Sequence, residues 1–259
     1  MLDDIQKTLK KLTPEGTFAA RKFASCRGLD VEVSGFGKVA MPVTQTMGQK
    51  LCEHAEKAPF GYRDRTLYDE KVRDTWQIRN TRLKLNMKAW TPFLERELET
   101  LQKKLGLGEG SRLRAELDKL LIYEPGQFFR PHRDSERGDD MVGTLSVVLP
   151  STYRGGRLVL KHDGETKRFG ATERSRRDLS LIVFYGDCEH EVEPVSAGYR
   201  VVLSFHLLAA PSEAKSKIPA ATIEQLSKRV QRHFEQDVVL SRYPEKRGRP
   251  DRLVYCSIT

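Results

Sequence analysis

His132 and Asp134 stand two positions apart, His190 follows later in the chain, and Arg200 comes ten residues after that. On an extended strand, side chains two apart point to the same side. His132 and Asp134 then offer a partial bite on a cation, which His190 completes from another strand. Two imidazoles and one carboxylate on one face of an octahedron leave three positions open. That donor set suits Fe(II) that must bind a chelating cosubstrate and dioxygen together, whereas a structural zinc site is normally closed by four protein ligands. An HxD pair alone is a cheap coincidence in a chain with six histidines. The weight lies in the set: HxD on a strand, a distal His on a later strand, and an Arg on the next.

Arg200 adds a cosubstrate to this chemistry. YRVVLSFHL alternates, so Arg200, Val202, Ser204 and His206 share one face and Val201, Leu203, Phe205 and Leu207 the other. An Arg inside a barrel is costly without an anionic partner. Its planar fork matches a carboxylate through two parallel hydrogen bonds. A dicarboxylic cosubstrate, chelating the metal at one end and paired with Arg200 at the other, meets that need. The alternative is a structural acid, Glu191 or Glu193. Cys188, two residues before His190, is either close to the metal or a small buried hydrophobe at a strand end. His54 reads as a surface or satisfied histidine, and His162 as a strand-end surface residue.

From Leu117 onward the texture is of short strands punctuated by turns, which argues for an all-β sandwich or barrel. LDKLLIY stops at Glu124-Pro125-Gly126, GTLSVVL at Pro150, RLVLKH at Asp163-Gly164, LSLIVFY at Gly186-Asp187, and YRVVLSFHL at Ala209-Ala210-Pro211. Ahead of these, Leu2 to Leu12 has helical spacing with acids first and lysines last. Leu29 to Val39 suggests a hairpin, Thr44 to Ala58 a helix, and Trp76 to Met87 an extended segment. Thr91-Pro92 reads as a helix start and Gly106 as its stop. Ile223 to Phe234 is helical again, and the closing LVYCSIT resembles a strand.

The 259 residues correspond to one or two domains at about 150 residues each. The expected division is an N-terminal α/β scaffold over 1–110, a core over 111–210 and a C-terminal extension over 211–259. A mean hydropathy of −0.55 and the lack of a long apolar run exclude a helical membrane span. MLDDIQKTLKKL lacks the apolar stretch of a secretory signal, so the expected location is cytoplasmic. Four dispersed cysteines, with no CxxC pair, argue against a disulfide framework or zinc cluster. The net charge of +9 admits an acidic partner. However, the basic clusters RSRR and KRGRPDR are short and interrupted, and no aromatic stripe accompanies them, so a solvated surface is favoured over nucleic acid.

Residues 112–208 resemble the catalytic domain of Fe(II)- and 2-oxoglutarate-dependent dioxygenases, in the prolyl 4-hydroxylase-like branch. The matching elements are IYEPG ahead of His132-Arg133-Asp134, GTLSVVLPS, Gly155-Gly156-Arg157-Leu158, His190 and Arg200. The resemblance implies an α+β chain whose mainly β core is a double-stranded β-helix, or jelly roll. It implies iron ligands His132, Asp134 and His190, with Arg200 on the distal carboxylate of 2-oxoglutarate. Tyr123 and Thr144 fall at cosubstrate-binding positions, and Leu158 at a further position lining that pocket. Val148 stands where some relatives have a tyrosine. The implied reaction consumes O2 and 2-oxoglutarate, releases succinate and CO2, and hydroxylates a prolyl or other side chain of a protein, with ascorbate as an accessory reductant. Asp134 favours hydroxylation, because halogenating relatives lack that carboxylate.

Three other readings compete. A nucleic-acid demethylase of the alkylation-repair type has a second Arg six residues beyond the first, where this chain has His206. A non-catalytic jelly-roll module is expected to have lost a ligand. A cupin-like hydrolase or isomerase needs a further His, for which His162 is the candidate. Trp76, Arg133, Arg137 and the 174–177 loop are candidates to flank the entrance.

Overall fold

The computed structural model describes residues 16–62, 65–107, 112–134, 138, 140–210, 220–235, 238–240 and 243–248. Residues 16–212 form one compact unit, and residues 1–15 with 213–259 form a second. The expected N-terminal helix over 2–12 and the closing LVYCSIT segment lie outside the described residues.

Two sheets organise the larger unit. The strands that matter are β1 (Ala19–Ser25), β2 (Glu56–Lys57), β3 (Arg73–Asp74), β4 (Trp76–Arg79), β5 (Arg112–Tyr123), β6 (Phe128–His132), β7 (Met141–Val148), β8 (Leu158–His162), β9 (Glu165–Phe169), β10 (Asp178–Tyr185), β11 (Glu189–Val192) and β12 (Arg200–Ala210). A seven-stranded sheet runs β1-β10-β7-β12-β5-β4-β2, and a five-stranded sheet runs β9-β8-β11-β6-β3. From β5 to β8 the chain changes sheet at each step, stays in the small sheet for β9, then alternates again through β10, β11 and β12. That winding is a double-stranded β-helix. The 16–110 region does more than surround it, since it supplies β1, β2 and β4 to one sheet and β3 to the other.

Alternation divides the side chains of the large sheet between two cores. Leu120, Ile122, Leu145, Val147, Val201, Leu203 and Phe205 face one way and pack with Trp90, Leu94, Leu98 and Leu101. Tyr123, Val148, Ile182, Phe184 and Val202 face the other sheet and meet Phe129, Leu158, Leu160 and Val192. Gly143 permits the close approach of β7 to β10, because a Cβ there would lie 2.1 Å from the Phe184 carbonyl oxygen.

Two α-helices in this unit are described. α1 (Gln45–Glu53) is capped by Thr44, whose hydroxyl accepts from the Met47 amide at 3.2 Å. α2 (Met87–Lys104) begins one turn before the expected Thr91-Pro92 start. The Asn86 carbonyl accepts from both the Ala89 and Trp90 amides at 2.9 Å, and Trp90 is fully buried. Those bonds and that burial outweigh the amide that Pro92 denies the second turn. Shortening Leu101, also fully buried on α2, to alanine would cost about 2–5 kcal/mol.

In the second unit, α3 (Ala220–Glu235) covers the expected helix, and Val238–Leu240 pairs with Tyr243–Gly248. No helix among the described residues is long and apolar enough to cross a membrane.

Candidate active site

The space between the sheets narrows to a cavity of about 90 Å3, whose lining includes His132, Asp134, His190, Thr144, Tyr123 and Arg200. The expected site residues are therefore brought together. One ligand atom from each of His132, Asp134 and His190 lies within 4.8 Å of the others. His132 ends β6 and is paired across the ladder with His190 on β11, and their ring centroids are 4.1 Å apart. Asp134 lies beyond the end of β6. It reaches the histidines from beyond the strand, so strand alternation does not align it with His132.

Each of these three candidate ligands is held on its outer side. His132 Nδ1 donates to the Arg130 carbonyl at 2.8 Å, and His190 Nδ1 to the Cys188 carbonyl at 3.2 Å. A carbonyl only accepts, so both Nδ1 atoms carry the proton and both Nε2 lone pairs are free to ligate. The Thr144 hydroxyl donates to Asp134 Oδ2 at 2.6 Å, which leaves Oδ1, 3.6 Å from His190 Nε2. Burial, then neighbouring His190, lowers the His132 pKa to about 3. Burial alone would raise Asp134, but His190, Thr144 and His132 outweigh it and hold the carboxyl below its ordinary range. Both groups are then in the unprotonated forms that bind a metal at neutral pH.

Arg200, which lines the same cavity, is 2% exposed. Its Nε has no hydrogen-bond partner, and among the described residues no carboxylate pairs with it. Its guanidinium lies 5.5 Å from the Tyr123 ring centroid. Neither structural acid pairs with it: Glu193 pairs with Arg157 at 2.6 Å, and Glu191 on β11 makes no ion pair with Arg200. A buried guanidinium without an anion fits a cosubstrate carboxylate.

A family profile described as the 2OG-Fe(II) oxygenase superfamily matches residues 119–207. The chain carries a 2OG-Fe(II) oxygenase domain. Cosubstrate and metal for such a domain are 2-oxoglutarate and Fe(II), and the donor set and the lone guanidinium described above fit both. No curated protein matches the chain. Among solved structures, it is similar to a 2OG-Fe(II) oxygenase family oxidoreductase from Burkholderia pseudomallei, at 15% identity over 82% of this chain and 92% of that one, with a TM-score of 0.44. A Pseudomonas putida prolyl-4-hydroxylase is similar at 18% identity over 82% and 100%, TM-score 0.42. So is a Trichoplax adhaerens prolyl hydroxylase, solved with a hypoxia inducible factor peptide, at 14% over 80% and 90%, TM-score 0.44. The jelly-roll assignment rests on the strand order itself.

Other residues of the oxygenase domain and its surroundings have definite places. Leu158 lines the cavity, and Val148 is buried between the sheets. Cys188 is fully buried, with its thiol pushed up to about 12, first by burial. Its carbonyl, not its sulfur, serves the site. His162 pairs with Asp187 at 3.1 Å. Trp76 does not line the cavity; its Nε1 donates to Glu124 at 2.7 Å. Arg174 and Arg176 pair with Asp178 and Glu173 beside a separate groove. Arg133 is exposed next to the ligands, and Arg137 lies outside the described residues.

Asp118, Lys119 and Arg73 also line the cavity, and none was expected there. A register shift between Leu117 and Lys119 interrupts the alternation of β5, so consecutive residues 118 and 119 both reach the interior. The adjacent charges in ELDKLLIY are the trace of that bulge in the sequence. Although burial raises it, the contact with His206 and the charge of Lys119 bring Asp118 down to about 2.

Proposed function

We propose that this chain is a hydroxylase, with Fe(II) held by His132, Asp134 and His190 and the distal carboxylate of 2-oxoglutarate held by Arg200. The convergence of three ligand atoms within 4.8 Å, facing a buried guanidinium in the same cavity, supports this reading. Bound iron and 2-oxoglutarate together supply the oxidising power, with succinate and CO2 as by-products. The protein's own part is positional. Carbonyls of Arg130 and Cys188 fix the imidazole tautomers, Thr144 orients Asp134, and Tyr123 stands beside Arg200. Apolar walls from Leu158, Phe184, Val192 and Val202 limit water at the reacting centre.

The substrate proposed is a prolyl or other side chain of a protein, on the resemblance of IYEPG, HRD and GGRL to the prolyl 4-hydroxylase-like branch. The 111–210 segment is proposed as the catalytic core, with 1–110 as scaffold and 211–259 as an extension. Purified protein is expected to convert 2-oxoglutarate to succinate only with iron, and His132→Ala should abolish this. Undiminished conversion in the His132→Ala variant overturns the assignment. Mass spectrometry of lysate proteins for the gain of one oxygen then identifies the substrate.

A further inference from the structure

The cavity contains a second buried arginine, to which the proposed function gives no part. Arg73, on the two-residue strand β3, is 8% exposed. Its Nη1 donates to the Pro59 carbonyl at 2.7 Å, while its Nε has no hydrogen-bond partner. Among the described residues no carboxylate pairs with it. Its guanidinium lies 4.3 Å from the Phe129 ring centroid, and the His132 ring stacks on Phe129 at 3.5 Å with 23° between the planes. Two groups at those distances cannot share one face, so Phe129 is sandwiched between Arg73 and His132. The cation is thus one ring's thickness from the metal-binding imidazole.

The other charges of the cavity balance one another. Lys119 and Asp118 pair at 3.0 Å and cancel. With the proposed occupants bound, the divalent metal, Asp134, Arg200 and a dianionic cosubstrate also sum to zero. Arg73 remains, a cation that keeps its charge even when buried, in a site from which water is largely excluded. Leaving it unanswered is expensive.

We infer that Arg73 forms a substrate subsite that takes a carboxylate, placing an acidic group of the substrate across Phe129 from the metal. This rests on the proposed iron and 2-oxoglutarate site. The subsite selects substrates with an acid close to the hydroxylated carbon, either an acidic side chain or a chain terminus, and disfavours their amides, which cannot neutralise the guanidinium.

The test uses the full chain with Mn(II), which relaxes nearby nuclei, and saturating 2-oxoglutarate, which occupies the metal and Arg200. 13C-acetate should show relaxation that saturates with concentration, and 13C-acetamide should not. Arg73→Gln should weaken acetate about 10- to 100-fold, the range for a lost charge-assisted hydrogen bond, with the 2-oxoglutarate Kd changed less than about threefold. Arg73→Lys, which keeps the charge, should recover part of the affinity, and matched melting temperatures exclude misfolding. N-acetylglycine and the α-amide of N-acetylglutamate then separate a chain terminus from an acidic side chain. Acetate binding that survives Arg73→Gln overturns the inference and leaves the cosubstrate site standing. Loosening of 2-oxoglutarate by Arg73→Gln, as severe as by Arg200→Gln, reassigns Arg73 to the cosubstrate and also overturns it. Failure of wild type to bind Mn(II) or 2-oxoglutarate at all removes the underlying site, and this inference falls with it.

Discussion

The two sheets contribute to the site in different ways. The large sheet supplies Tyr123, Thr144 and Arg200 from β5, β7 and β12, strands of eight to twelve residues. Tyr123 and Arg200 are direct cross-strand partners. The small sheet supplies His132 and His190 from strands of five and four residues, and the β6–β11 register shifts between Phe129 and His132. Asp134 belongs to neither sheet. The proposed cosubstrate end is therefore positioned by a long hydrogen-bonded ladder, whereas the proposed metal end depends on individual contacts to each candidate ligand. Long ladders fix geometry by many cooperating bonds, so single losses matter less there; at the metal end each contact counts.

Breaking a ligand at the metal end should have the largest effect. His190→Ala is expected to remove turnover and tight metal binding, a loss beyond the 10–100-fold or so that outer partners command; metal titration and succinate release measure both. At the ladder end, Arg200→Gln should raise the KM for 2-oxoglutarate by about 10- to 150-fold while leaving metal affinity nearly unchanged. A parallel loss of metal binding in that variant would show that the two ends are not separable. Thr144→Val sharpens the contrast, since it lies on a long strand yet bonds Asp134. It should weaken metal binding by about tenfold and change the 2-oxoglutarate KM little. The smallest effect is on acid stability without metal. The His132 pKa in the fold, about 3, lies below the ordinary 6.5, so the unfolded chain takes up a proton first as pH falls. This contribution is complete above about pH 6.5 and is lost as pH drops toward 3. The melting temperature should decline across that window, and His132→Gln should flatten the slope.

The same division explains what the sequence disclosed. Residues on long, regular strands were legible: the alternation of YRVVLSFHL places Arg200, Val202 and Ser204 on the cavity face, where they line it. His132 and Asp134 were legible as a pair, but for an incomplete reason, because the strand ends before Asp134. Arg73 left no signal. Its strand has two residues, too few for any periodicity, and its place in the cavity depends on pairing with β6 far along the chain. The contribution of residues 16–110 to both sheets was hidden for the same reason. Short strands take their partners from tertiary context, and β2 and β3 have two residues each.

Both imidazoles are oriented by main-chain oxygens, of Arg130 and Cys188. Side-chain replacement at either position leaves that oxygen in place. Variation at 130, an exposed position, can therefore alter the surface while the ring orientation is inherited unchanged. For the two imidazoles the geometry is insulated from drift in their immediate neighbours, and a change in the path of the backbone is what would disturb it.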